Sequence, residues 1–366
     1  MIKKQRQIFL CFFVVSSQLS LNSIITKFKD ISMDAWNLTK ESSGKKSVMK
    51  ETLSIYFFRR EVPAICRKKI VTIQERGDSV KFYIVDVFAE NKFEGNQLAV
   101  CIPDREINQN EMLKIAREIN FSETTFVMSG VRENGGYDVK IFMPDSEIPF
   151  GGHPTLGTAY VIGRLLETGQ TDKIYLNLKV GQIPVMFDQQ NAWMLQNQPE
   201  FGSIIDNETI EKILQIHRDD IDPQFPPQVV STGLPSVIIY LKTMDAVNRC
   251  KINHLEYSKL LNEFGNVNLH VFTKETVNPE NDLHARVFMF SAGFLEDPAT
   301  GSSTGNLAGY LLEHNLFNNY EINLKVEQGY SIDRPSLLKI KASKLDGNFS
   351  IQVGGRVFAI AEGTWL

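Results

Sequence analysis

Phe150-Gly151-Gly152-His153-Pro154-Thr155-Leu156-Gly157 is the stretch that decides how the rest of the chain is read. An apolar, strand-like run, Tyr137 to Pro144, precedes it, and a helical run, Thr155 to Glu167, comes after it. Glycine lets a backbone approach a ligand closely, and proline is tolerated in the first turn of a helix. The uncommitted N–H groups at a helix start favour an anion such as a carboxylate. Two glycines, His-Pro and a helix therefore aim backbone donors and one imidazole at a common point. Alone, the octapeptide reads more simply as an ordinary strand-to-helix turn, because an isolated Gly-rich turn is a weak motif.

The arrangement returns late in the chain. Glu296-Asp297-Pro298-Ala299-Thr300-Gly301-Ser302-Ser303-Thr304-Gly305 comes after a strand candidate, 285–290, and precedes an apolar helical run, Asn306 to Glu313. The repeat is one of pattern, not of residues. For Asp297 by itself, capping the coming helix is the simpler role. A third segment is Asn120-Phe121-Ser122-Glu123-Thr124-Thr125-Phe126-Val127-Met128. Its second half reads as a strand, which puts Glu123 at a strand entrance among apolar neighbours. Burial raises a carboxyl pKa, which suits general acid/base work near neutrality. A surface Glu at a loop edge is the plainer alternative.

Working outward, Lys81 to Phe88 and Gln97 to Ile102 read as strands around a turn at Phe93-Glu94-Gly95-Asn96. Met112, Ile115, Ala116 and Ile119 share one face of a helix from Asn110 to Ile119. Ile174, Leu176, Leu178 and Val180 alternate with polar residues, the pattern of a half-buried antiparallel strand. Gln198-Pro199-Glu200-Phe201-Gly202 reads as a link. Beyond it a helix carries Ile210, Ile213, Leu214 and His217 on one face. His217, with no partner at metal-ligand spacing, reads as a surface histidine. Further strands read at 228–232, 236–241, 269–273, 321–327, 337–342 and 349–353. The last run, 356–365, is strand-like and is placed to return to the first lobe.

The chain has 366 residues, 43% of them hydrophobic, and a formal net charge of −4, which is room for two lobes and no footprint for nucleic acid. The cysteines Cys11, Cys66, Cys101 and Cys250 lie far apart, so neither a zinc site nor a disulfide framework is indicated. No His-Glu-x-x-His pattern and no dinucleotide-binding Gly motif occurs, and no metal or organic cofactor is expected. Residues 1–78 differ in character from the rest of the chain. Lys3, Lys4 and Arg6 precede the apolar run 8–15, which is short for a membrane span. A signal peptide, a disordered leader and a mis-assigned start fit equally, so the expected location is cytoplasmic, or the secretory pathway if residues 1–25 are a genuine signal.

Taken in order, Asp86-Val87-Phe88 with Gly95-Asn96, then Asn120-Phe121-Ser122-Glu123-Thr124, then Gly151-Gly152-His153-Pro154-Thr155, then Glu296-Asp297-Pro298-Ala299-Thr300-Gly301-Ser302, resemble the PhzF family of phenazine-biosynthesis-like proteins. The resemblance covers about residue 80 to the C-terminus. It implies an α+β, diaminopimelate-epimerase-like fold of two pseudo-symmetric lobes, each a mixed or antiparallel sheet wrapped around a central helix. The lobes would span 79–197 and 203–355, with 356–366 joining the first. It implies a cofactor-independent isomerase in which Glu123 shuttles a proton, while His153 and Asp297 orient and polarise the substrate. Ser122, Gly152, Gly301 and Ser302 match positions that would hold a carboxylate. Two-thiol racemase chemistry is excluded, since neither loop carries a cysteine. The expected partners are a small carboxylated metabolite and a second copy of the chain as a homodimer, with no nucleic acid and no membrane. The rival expectations are a non-catalytic interaction or ligand-binding protein, and an amino-acid racemase or epimerase.

Overall fold

The computed structural model describes residues 38–40, 53–55, 79–167, 171–291 and 294–365. The chain divides into two compact units, Met1–Arg76 and Gly77–Leu366. In the first, Leu38–Lys40 pairs antiparallel with Leu53–Ile55. The signal-like run and the basic patches of the N-terminal segment lie outside the described residues.

The second unit is a mixed, sheet-rich α+β fold whose strands join into one barrel-forming sheet. The sheet contains an internal repeat that the residues themselves conceal. From Val80–Val87 through Asn96–Pro103, Glu123–Val131, Gly136–Phe142, Lys173–Leu178, Gly181–Phe187 and Ala192–Leu195, successive pairings run antiparallel, parallel, antiparallel, parallel, antiparallel, antiparallel. From Gln228–Ser231 through Pro235–Tyr240, Asn268–Thr273, Leu283–Ser291, Glu321–Gln328, Ser336–Leu345 and Asn348–Gly355 the order is the same. Each repeat also has a short arm before its central helix, Glu147–Ile148 in one and Phe294–Asp297 in the other. The repeats are tied by exchange. Val357–Trp365 returns to pair with Val80–Val87, Glu200–Ile204 crosses to Gln228–Ser231, and Ala192–Leu195 lies against Asn348–Gly355.

The two central helices are Gly152–Tyr160 and Gly301–Glu313. Both are buried almost all round, and neither has an acidic first turn or a basic last turn. A helix walled in by sheet needs small residues where strands come close. A methyl on Gly157 would stand 2.6 Å from Leu98 Cδ2 and 2.9 Å from Val87 Cγ2. Leu156, Ala159, Leu307, Ala308 and Leu311 belong to one apolar cluster shared by both repeats. Separate clusters lie under Gln109–Ile119 and under the outer helices of the second repeat.

Several sequence readings shift. The first central helix starts at Gly152, not Thr155, and its regular part ends at Tyr160, before a π-helical turn Val161–Leu166. The second starts at Gly301 rather than Asn306. Both Gly/Thr loops are thus first turns of helices. Asp297 ends a strand instead of capping the helix, whose N-cap is Thr300. Val180 is 55% exposed because the strand ends at Leu178 and the chain turns through Gly181 at φ +121°. The helix Asn207–Leu214 stops at Gln215, which is left-handed at φ 54°, so His217 falls outside it and begins a short 3-10 turn. Helices Met244–Arg249 and His254–Phe264 add to the elements read from the sequence. Among the described residues no helix is long and apolar enough to cross a membrane.

Candidate active site

Glu123 opens the strand Glu123–Val131, and the parallel register sets it beside Leu98. His153 is the second residue of the first central helix, and Asp297 closes the short arm before the second. These elements converge. His153 Nε2 lies 3.4 Å from Glu123 Oε2, with side chains 5% and 16% exposed, and Asp297 is 5% exposed. The contact is not an aligned hydrogen bond, because both atoms are buried without a hydrogen-bond partner. Unpaired buried polar atoms are costly, and a pair of them facing one space marks where a ligand would complete the bonding.

Asn96 ties the three elements together. Its Nδ2 donates to Asp297 Oδ1 at 2.8 Å and to the Ala299 carbonyl at 3.0 Å, while its Oδ1 accepts from Ser122 Oγ at 3.4 Å. An amide nitrogen has two hydrogens, so none remains for His153 Nδ1 at 3.2 Å. The imidazole instead bonds to the Gln97 backbone in a way that favours the protonated ring. Nε2 has no hydrogen-bond partner and faces Glu123 Oε2.

Burial pushes the Glu123 carboxyl up to about 7, against the Ser122 hydroxyl. Burial brings His153 down to about 4, although Asp297 opposes it, so the ring is neutral at physiological pH. Asp297 rises to about 6, chiefly by burial, with Glu123 adding to the rise and His153, Thr300 and Asn96 opposing it. A neutral imidazole, a carboxyl poised at neutrality and a second carboxyl held by fixed donors can take a proton and return it.

The glycines bring the helix starts into contact. A methyl on Gly152 would meet Ser302 N at 2.9 Å and the Gly301 backbone at 3.2 Å. The two helix starts therefore abut at Gly152 and Gly301–Ser302, and first-turn N–H groups of a helix suit an anion. The structure brings together Glu123, His153, Asp297, Gly152, Gly301 and Ser302, with Ser122 joined through Asn96. Sequence reasoning missed Asn96, Thr300 and Gln328 as site residues. Asn96 and Thr300 stood within quoted motifs, while Gln328 ends a strand and gave no signal. A groove of about 470 Å³ bordered by Lys140, Glu147, Asn177 and Lys179 includes none of these residues. Among the described residues no cluster suits a metal ion.

The family model described as phenazine biosynthesis-like protein matches residues 85–363. The chain belongs to the PhzF family. An uncharacterized isomerase of Clostridium acetobutylicum is 34% identical, over 71% of this chain and 88% of its own length. The trans-2,3-dihydro-3-hydroxyanthranilate isomerase of Pseudomonas fluorescens is 31% identical, over 77% and 98%. The crystal structure of a PhzF-family phenazine biosynthesis protein from Bacillus anthracis superposes with a TM-score of 0.72 at 25% identity, over 79% and 99%. The chain is accordingly a PhzF-family isomerase.

The PhzF-family chain keeps its described thiols out of this site. Cys101 and Cys250 are buried, and burial pushes each thiol up to about 12. Thiolate reactivity is lost when the thiol cannot ionise. Native protein treated with iodoacetamide at pH 7.5 is expected to leave both residues unmodified by peptide mass spectrometry, and full labelling of either would contradict their burial.

Proposed function

We propose that this PhzF-family isomerase moves a proton between carbons of one small, unsaturated or cyclic, carboxylated metabolite. The reading places the substrate in a cleft between lobes 79–197 and 203–355, with Glu123 as the proton shuttle. One observation carries it: Glu123 Oε2 and His153 Nε2 face each other without hydrogen-bond partners beside two abutting helix starts. The substrate carboxylate would sit on the N–H groups of Gly152, Gly301 and Ser302, with the Ser122 hydroxyl near. Glu123 as carboxylate takes a proton from carbon and as acid returns it to another carbon, while His153 and Asp297 hold and polarise the substrate. No cofactor is part of the reading, and a cytoplasmic homodimer completes it.

The internal repeat supports one shuttle rather than two. Asn96 and Pro235 hold the same place in their strands, opposite Val87 and Ser231. Two residues on, Leu98 pairs with Glu123, and Val237 pairs with Leu269. The counterpart of Glu123 is thus Leu269. Asp297 already accepts from Asn96 and Thr300, whereas Glu123 Oε2 is unengaged. A single base returns the proton on the face from which it came, which favours a shift along a conjugated system over racemisation.

The test is deuterium incorporation from D₂O into a panel of carboxylated cyclohexadienes and amino acids, the dihydro-hydroxyanthranilate of the Pseudomonas fluorescens relative among them. The reactive form of Glu123 is the carboxylate, and its pKa is raised to about 7. The exchange rate at low substrate is therefore expected to climb as pH rises through about 7 and to level off above it. Carboxylates that raise the melting temperature without exchanging any proton would replace the isomerase mechanism with simple binding.

A further inference from the structure

We propose that Gln328 is a positioning residue for Asp297, dictating which way the Thr300 hydroxyl points and so holding the carboxylate as an acceptor through both oxygens. Gln328 ends the strand Glu321–Gln328 and is 0% exposed. Its amide can be oriented in only one way. The Asp297 carbonyl can only accept, and it lies 2.8 Å from Nε2. The Thr300 N–H can only donate, and it lies 3.2 Å from Oε1. The other Nε2 hydrogen then falls to Thr300 Oγ1 at 3.0 Å. A hydroxyl has one hydrogen. With its oxygen accepting from Gln328, that hydrogen goes to Asp297 Oδ2 at 2.5 Å. Asn96 supplies the other carboxylate oxygen at 2.8 Å.

Two fixed donors favour the ionised carboxylate, while burial and Glu123 disfavour it. The groups facing Asp297 are Glu123 from its strand, His153 from the first central helix, Asn96 from the strand before Pro103, and Thr300. On its own strand Glu296 is engaged by Arg286. Glu327, next to Gln328, alternates to the other face. There it accepts from the backbone of Val277 and Asn278, from Asn281 Nδ2 and from His284 Nδ1. The link from Gln328 to the Asp297 carboxylate therefore runs through Thr300.

The proposal rests on Asp297 belonging to the working site, but its test needs no substrate, so its failure and that of the proton-shift reading are separate. The measurement is urea unfolding of the full-length chain between pH 5 and pH 8, wild type against Gln328→Met. Asp297 has a folded-state pKa raised from 3.8 to about 6. Its contribution to stability is therefore present at low pH and lost as pH rises through about 6. Without Gln328 the hydroxyl is free to turn away, and the loss should extend to higher pH. The folded-to-unfolded ratio of the variant, relative to wild type, is expected to drop by about tenfold more at pH 8 than at pH 5 for each pK unit gained by Asp297. The widening should vanish in an Asp297→Asn background. Thr300→Val should reproduce it and Thr300→Ser should not. Should Gln328→Met not fold, Gln328→Asn, too short to reach the hydroxyl, replaces it. A gap that is equal at both pH values, or that survives Asp297→Asn, overturns the proposal.

Discussion

Glu123→Gln is expected to abolish proton exchange while making the folded protein more stable above pH 7. Glutamine keeps the shape of the side chain facing His153, but it cannot carry a proton to and fro. A general acid/base of this kind contributes about 10² to 10⁴ in rate, and a loss of that size is the expected result. The stability effect has the opposite sign. Burial lifts the Glu123 carboxyl from 4.5 to about 7, so the folded state holds a proton that the unfolded chain has released. Such a group stabilises the fold below pH 4.5 and loses that contribution as pH rises through about 7. The displacement is worth on the order of 3 kcal/mol at high pH, and the neutral amide does not incur it. Exchange assays and urea unfolding at pH 8 on the same variant check both halves. A Glu123 that served only structure would leave exchange intact and lower stability on replacement.

The second large effect belongs to Arg334. Its guanidinium reaches across the repeats to Asp86 Oδ1 at 2.8 Å and to the carbonyls of Phe93, Glu94 and Gly95 at 2.8, 2.8 and 2.9 Å. Asp86 is 2% exposed, and its other oxygen accepts from Phe93 N at 2.7 Å. The turn so clamped ends in Asn96, the amide that joins Ser122 and Asp297. Arg334→Ala leaves a buried carboxylate without its cation, which typically costs about 3–5 kcal/mol. Lysine should not rescue it, because a single ammonium cannot fork to a carboxylate and three carbonyls. Burial already raises the Asp86 carboxyl and Arg334 holds it down, so losing the arginine raises it further. The deficit of Arg334→Ala should therefore shrink on acidification, and Asp86→Asn should recover part of it. Urea unfolding at pH 5 and pH 7 provides the check. A deficit below about 1 kcal/mol, or one that grows on acidification, would discard the clamp.

The two effects divide the site between chemistry and scaffold. Glu123 is costly to the fold as a carboxylate, with one oxygen unpaired. Asp86, Asn96, Thr300 and Gln328 have side chains bonded to partners on other strands or loops, and these bonds fix where Asp297 stands. Stability set against activity at one carboxyl is what a buried acid/base requires.

Local pattern sufficed wherever one face of an element is buried. Ile174, Leu176 and Leu178 alternate because their strand packs inward on one side, and Met112 and Ala116 mark the inner face of a helix capped by Asn108. The motifs around His153 and Asp297 were legible because chain entering a helix needs particular residues, and Glu123 because it opens an apolar strand. The same logic failed for the central helices. Buried all round, they carry no amphipathic stripe, and the glycines that read as loop are their first turns.

The sequence by itself determined the alternating strands and the one-sided helix Gln109–Ile119, because each depends on residues a few positions apart. Tertiary structure alone decided the rest. Glu123 and His153 become poised by burial, and Asn96 meets Asp297 201 positions away along the chain. The repeat shows in the order of strand pairings, which makes Leu269 the counterpart of Glu123. Pairing order and burial arise from contacts between distant segments, and no local window of sequence contains them.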